Sequence, residues 1–145
     1  MKICHLIYDD VANPWLAGGG AVRAREIYRR LAQRHQVTLI TGLFPGAQRE
    51  EEIEGIHFVR VGSDRSYARS RLAYCHAAVD QLKRMSWDVW INEFSGFAPL
   101  RVPGSIRFGG VLFFQHFMGR HALAKRPLVG LPAWLAERRV LGAYP

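Results

Sequence analysis

Cysteine is scarce in this sequence. Cys4 and Cys75 are the only two, far apart and without the paired spacing that zinc ligation or thiol redox chemistry uses. Both read as free, buried thiols, which suits a reducing, cytoplasmic compartment. Long apolar runs are missing too: Gly109 to Phe114 and Val129 to Leu135 fall well short of the roughly 20 residues that a membrane-spanning helix needs. Met1-Lys2 leads straight into a strand pattern, with no charged leader, long apolar region or small-residue cleavage site, so a mature, unexported chain is expected. The glycines of the first loop are not followed by Gly-Lys-Ser/Thr, which excludes a P-loop. Neither a Gly-x-Ser-x-Gly elbow nor a Cys/His metal cluster occurs, and no repeat or low-complexity tract is present.

Acid is also in short supply, but only in the second half. Residues 1–64 carry eight Lys/Arg and eight Asp/Glu, whereas residues 65–145 carry twelve Lys/Arg against four acids, Asp80, Asp88, Glu93 and Glu137. The whole net charge of +8 therefore lies beyond residue 64. A basic surface attracts nucleic acid, anionic lipid or phosphorylated small molecules alike, and it can equally be a solvated face. With 49% hydrophobic residues, the 145-residue chain can bury one core and reads as a single domain over 1–145.

What is present is a regular alternation. Ile3 to Tyr8 reads as a first strand and Ala21 to Arg34 as a helix, with Ala24, Ile27 and Leu31 on its apolar face and Arg23, Arg30 and Arg34 facing out. Val37 to Thr41 is a second strand. The acidic run Glu50-Glu51-Glu52 reads as a solvated loop before a third strand, Ile56 to Val61. Tyr67 to Met85 is a long helix whose apolar face takes in Leu72, Cys75, Ala78 and Leu82. Asp88 to Asn92 is a fourth strand, and Val111 to Gln115 a fifth, whose lack of alternation predicts burial on both faces. Pro132 to Leu141 closes the pattern as a helix with Pro132 near its first turn. Strands alternating with helices predict an α/β Rossmann-like three-layer sandwich with a mostly parallel sheet in the order 3-2-1-4-5.

In such a sheet ligands bind beyond the carboxyl ends of the strands, where the strand order reverses. That edge gathers Asp9, Asp10 and the Gly18-Gly19-Gly20 loop after the first strand, Thr41 after the second, Asn92 and Glu93 after the fourth, and His116 after the fifth. Three glycines leading into a helix place backbone N–H groups at the helix's positive end, which suits a phosphate, although they could also be a plain turn. Glu93 can serve the cleft or pair with an arginine, Asp9 and Asp10 can serve it or brace the loop, and His116 can act on a ligand or cap its strand. The other histidines, His5 among them, lack ligand spacing and read as surface or packing residues. A dinucleotide site would want a third glycine where Arg23 stands and an acid ending the second strand, where Thr41-Gly42 stands; both departures count against NAD.

The segments KICHLIYDD, GGGAVRAREIYRRLAQRHQVTLITG, EGIHFVRV, WDVWINEF and GVLFFQH, in that order and spacing, resemble the N-terminal half of retaining GT-B glycosyltransferases of the glycogen-synthase-like and mannosyltransferase-like group, glycosyltransferase family 4. The resemblance runs across essentially the whole chain. It implies an acceptor-side Rossmann-like domain, one half of a GT-B fold, in an enzyme that moves a hexose from a nucleotide-sugar donor to an acceptor. By the same resemblance Gly18, Gly19 and Gly20, with Arg23, lie near the donor phosphates and acceptor, His116 lies in the interdomain cleft, and Glu137-Arg138 fits the family's last helix. Neither cofactor nor metal is implied, and the donor domain with its paired glutamates is absent from the chain, so the fragment alone should not turn over. The expected partners are the nucleotide-sugar, an acceptor of unknown identity, the missing C-terminal domain and, through the basic half, an anionic membrane surface. A nucleic-acid or anionic-surface binding module and an NAD-linked enzyme such as a nucleotide-sugar epimerase are the alternatives. Nucleic acid is not the expected partner, because Arg65, Arg69, Arg71, Arg84, Arg120, Lys125 and Arg126 are scattered and lack interleaved aromatics.

Overall fold

A computed structural model of the chain describes residues 1–94, 102–115 and 127–141. These form six strands, β1 (Lys2–Leu6), β2 (Gln36–Gly42), β3 (Glu50–Ile53), β4 (Ile56–Val61), β5 (Val89–Phe94) and β6 (Gly110–Phe114). Four helices accompany them: α1 (Gly19–Leu31), α2 (Tyr67–Arg84), α3 (Gly104–Arg107) and α4 (Pro127–Leu141). The sheet order is β3-β4-β2-β1-β5-β6, parallel throughout except for β3 against β4. The five expected strands thus stand in the expected order, 3-2-1-4-5, and the fold is the α/β sandwich that the alternation predicts. The sheet is one strand wider than expected.

Strand alternation divides the core between two helical layers. Ile7 of the segment after β1, with Val37, Leu39, Ile56 and Phe58, meets Ala24 and Tyr28 of α1 on one face. Cys4, Leu6, Ile40 and Trp90 meet Tyr74, Ala78 and Leu82 of α2 on the other. Ser66 caps α2 by accepting from the Arg69 N–H, and the helix is bolted to the end of β2 by Ser70 Oγ donating to Leu43 O at 2.6 Å and Tyr74 Oη donating to Ile40 O at 3.1 Å. Gly62, between β4 and α2, has φ +103°, and a Cβ there would lie 3.2 Å from both Ser70 O and Tyr74 N. Only glycine allows that turn to run so close beneath the helix.

Several expectations are corrected. The acidic run is not a loop: Glu50, Glu51 and Glu52 lie on β3, the antiparallel edge, opposite Val59, Phe58 and His57. Its polarity suits an edge, where one side of the strand faces water. The fifth expected strand is an edge as well, with Val111 and Phe113 exposed and Leu112 and Phe114 half-buried against Phe94 and α4. The apolar stripe of α1 runs through Ala21, Ala24 and Tyr28, which turns Ile27 outward, and that of α2 runs through Tyr74, Ala78 and Leu82, which leaves Leu72 exposed. Arg23 does not face out but turns inward. Helix α4 begins five residues before Pro132. Cys4 is buried, whereas Cys75 is only half-buried. Among the described residues no helix is long and apolar enough to cross a membrane.

The loop after β1 is fastened from below. Asp10, 2% exposed, accepts from Arg60 Nε at 2.8 Å and Thr41 Oγ1 at 3.3 Å through Oδ2 and from the Ala12 N–H at 2.9 Å through Oδ1. Arg60 is equally enclosed; it donates to Gln48 O and Glu51 and lies over the Phe44 and Phe58 rings. Removing one member strands a buried charge, whereas removing both does not. Arg60→Met is therefore expected to destabilise the chain by about 3–5 kcal/mol, with much of that loss recovered in Arg60→Met/Asp10→Asn. Urea midpoints of the two variants check this, and equal losses would show that the pairing is not the cause.

Candidate functional site

The carboxyl edge of the sheet is built around the head of α1. Gly18 is its N-cap residue, with extended backbone (φ −79°, ψ 176°) and no side chain to cap the helix, and the first turn carries no acid. The positive end of the helix is nevertheless flanked by two carboxylates, Asp9 from the loop after β1 and Glu93 from β5. A Cβ on Gly18 would lie 3.1 Å from Asp9 Oδ2, and one on Gly20 would lie 2.9 Å from Glu93 Oε1 and 2.7 Å from Gln115 Nε2. Gly20 thus lets the helix settle directly onto the Glu93 side chain. At Gly19 no described residue comes within 4 Å of such a Cβ.

Glu93, 8% exposed, is the hub. Arg23 Nη2 and Gln115 Nε2 both donate to it, to Oε2 and Oε1, and His5 Nε2 lies 3.3 Å from Oε2. These three side chains come from α1, from the residue after β6 and from β1. Arg23 is also stacked 4.4 Å over the Phe113 ring, and His5 meets Tyr28 edge-on at 5.5 Å. Burial pushes the Glu93 carboxyl upward, but His5, Arg23 and Gln115 outweigh it and leave the group below the ordinary glutamate range. Burial pushes His5 down, Arg23 adds to that and Glu93 opposes it, so the ring stays neutral further into acid than an ordinary histidine. Asp9 moves the other way: burial raises its pKa and the charge of Glu93 adds to the rise, while Arg71 opposes it. Arg71 is itself buried, with its guanidinium 4.3 Å over the Tyr8 ring.

The structure therefore brings together Gly18, Gly20, Arg23, Asp9 and Glu93. It does not bring in Asp10, whose oxygens are committed beneath the loop, or Asn92, fully buried on the opposite face of β5 from Glu93. His116 lies outside the described residues, although its neighbour Gln115 is in the cluster. His5, Gln115, Phe113 and Arg71 were not singled out from the sequence. His5 did carry a signal: it sits between Ile3 and Ile7 on the inward face of a central strand, where a polar ring needs a partner. Among the described residues no three His, Cys, Asp or Glu side chains are grouped so as to hold a metal ion.

Two outcomes are expected. Gly20→Ala must displace Glu93 or Gln115 and should destabilise the chain by about 1–3 kcal/mol, whereas Gly19→Ala, with no described residue near its added methyl, should be neutral or slightly stabilising; thermal or urea unfolding compares them. For His5, a folded pKa below the unfolded value of about 6.5 means that the unfolded chain binds the proton first, so stability declines as pH falls below that value. Between pH 7.5 and 5.5 the urea midpoint of the unmodified chain should fall more steeply than that of His5→Gln. Parallel slopes would contradict a buried neutral His5.

No protein-family model matches the sequence, and no curated protein is similar to it at the level of sequence. Among solved structures, sucrose-phosphate synthase from Thermosynechococcus elongatus superposes with a TM-score of 0.59 at 14% identity. The match covers 97% of this chain but 40% of that one. At this identity the likeness shows the fold: the Rossmann-like sheet of the chain is shared with part of a glycosyltransferase.

Proposed function

We propose that the chain forms the acceptor-side half of a glycosyltransferase that moves a sugar from a nucleotide-sugar to an acceptor with retained anomeric configuration. The observation that carries this reading is the likeness to a glycosyltransferase over 97% of the chain, combined with a glycine-led helix that carries an arginine, Arg23, near its head at the carboxyl edge of the sheet. In the reaction the bond from the anomeric carbon to the donor phosphate breaks, a bond to the acceptor oxygen forms, and the acceptor proton leaves with the nucleoside diphosphate. The chain's part is electrostatic: backbone N–H groups at Gly19 and Gly20 and the Arg23 guanidinium stabilise negative charge on the departing diphosphate. His116 hydrogen-bonds the reacting sugar, and Asp9, whose pKa burial raises, stands at the head of α1 as a contact for an acceptor hydroxyl. The donor base and sugar are read by a second domain outside this chain, so the chain alone is not expected to turn over.

The test uses the complete gene product with a panel of nucleotide-sugars, following release of nucleoside diphosphate and the anomeric configuration of the product. Expected is transfer with retention, lowered roughly a hundredfold in His116→Ala. Undiminished transfer in that variant would remove His116 from the site, and inversion or a lack of transfer from every donor would overturn the reading.

A further inference from the structure

Arg23 is held unlike its neighbours on α1. Arg25, Arg29 and Arg30 pair with the exposed Glu54 and Glu26 along the helix surface, where such pairs contribute little. Arg23 reaches inward, bonding through Nη2 to a carboxylate that is 7% exposed while a third of its own side chain stays open. Its plane lies on Phe113, and no described residue takes a hydrogen bond from its Nε or Nη1. It is a cation braced at one end and open at the other.

The brace is Glu93. With Arg23 donating to Oε2, Gln115 to Oε1 and His5 beside Oε2, both oxygens of this buried carboxylate are engaged, so it is better placed to hold its donors than to act as a base. His5 adds the second constraint. Its ring is 3% exposed and fixed edge-on against Tyr28, and of its two nitrogens Nε2 is the one that faces an acceptor. A neutral imidazole protonated on Nε2 faces Oε2 from 3.3 Å, short of a well-aligned hydrogen bond, and its fixed ring limits how far the carboxylate can turn away from Arg23.

We propose that His5 and Glu93 are positioning residues for Arg23: from inside the sheet they fix its guanidinium at the head of α1, leaving Nη1 for an anionic oxygen in the cleft. The inference rests on the diphosphate reading above for its ligand but not for its geometry, and one experiment separates the two. The 145-residue chain, labelled with nitrogen-15, is observed at the Arg23 guanidinium first without ligand and then with inorganic diphosphate. Without ligand, hindered rotation should give two resolved Nη environments, merging in Glu93→Gln and in His5→Leu and returning in His5→Gln, whose amide N–H stands where Nε2–H stood. Diphosphate should bind about tenfold more weakly to Glu93→Gln and His5→Leu than to the unmodified chain.

The sign of the Glu93→Gln effect is decisive, because this substitution removes a negative charge beside the ligand. If Glu93 merely repelled anions, binding would tighten; tightening overturns the proposal, as does a single averaged Nη signal in the unmodified chain. Two resolved Nη environments that respond to the substitutions, with diphosphate moving no signal, would uphold the positioning role and remove the diphosphate reading. Should His5→Leu unfold, judged from its amide dispersion, the comparison of Glu93→Gln with the unmodified chain still decides.

Discussion

A carboxylate enclosed in a protein has to be met by donors, and the Glu93 carboxylate draws its neighbours from three separate parts of the chain at the carboxyl edge of the sheet. His5 rises from the central strand, Arg23 descends from the second turn of α1, and Gln115 arrives from the end of β6. Parallel strands make this convergence possible, because their carboxyl ends all lie on one side. Gly20 makes it tight, since any side chain there would occupy the space that Glu93 and Gln115 fill. The docking angle of α1 is thus tied to a polar contact as well as to Ala24 and Tyr28 below it. A second polar node, Asp10 with Arg60 and Thr41, performs the same service for β2 and β4 and holds the loop that leads toward the glycines.

Three neighbouring ionisable groups are driven to different states by these surroundings. Glu93, supplied with donors, stays charged; His5, deprived of water, stays neutral; Asp9, partly buried beside a like charge, is pushed toward its proton. Separation of this kind lets adjacent groups in one site bind protons differently. It assigns a holding task to Glu93 and leaves the chemistry to groups nearer the opening.

The fold was legible because hydrophobic alternation and glycine punctuation are local signals, and five strands and their order could be read from them. β3 was not, since three consecutive glutamates carry no apolar alternation and pairing with β4 is decided across the chain. The edge position of β6 was hidden for a related reason: an apolar run looks the same whether one face or both are covered. In the site, Gly18, Gly20, Asp9 and Glu93 could be placed because each follows a strand or opens a helix. Arg23 was read as facing out because helical periodicity describes where a side chain starts, while a long guanidinium goes where a buried carboxylate attracts it. His5 was read as inert because its partner lies 88 residues away on β5, a distance that no spacing rule covers.

The acidic edge strand also bears on how the sheet can be extended. Of its three glutamates, Glu51 turns inward to Arg60, while Glu50 and Glu52 stand in solvent. A strand from another molecule would have to lay its backbone along this row, and an identical β3 would bring its own carboxylates into register with them. Like charges that close repel, so polymerisation by strand addition is disfavoured on that side at neutral pH and becomes easier only as the carboxylates are neutralised.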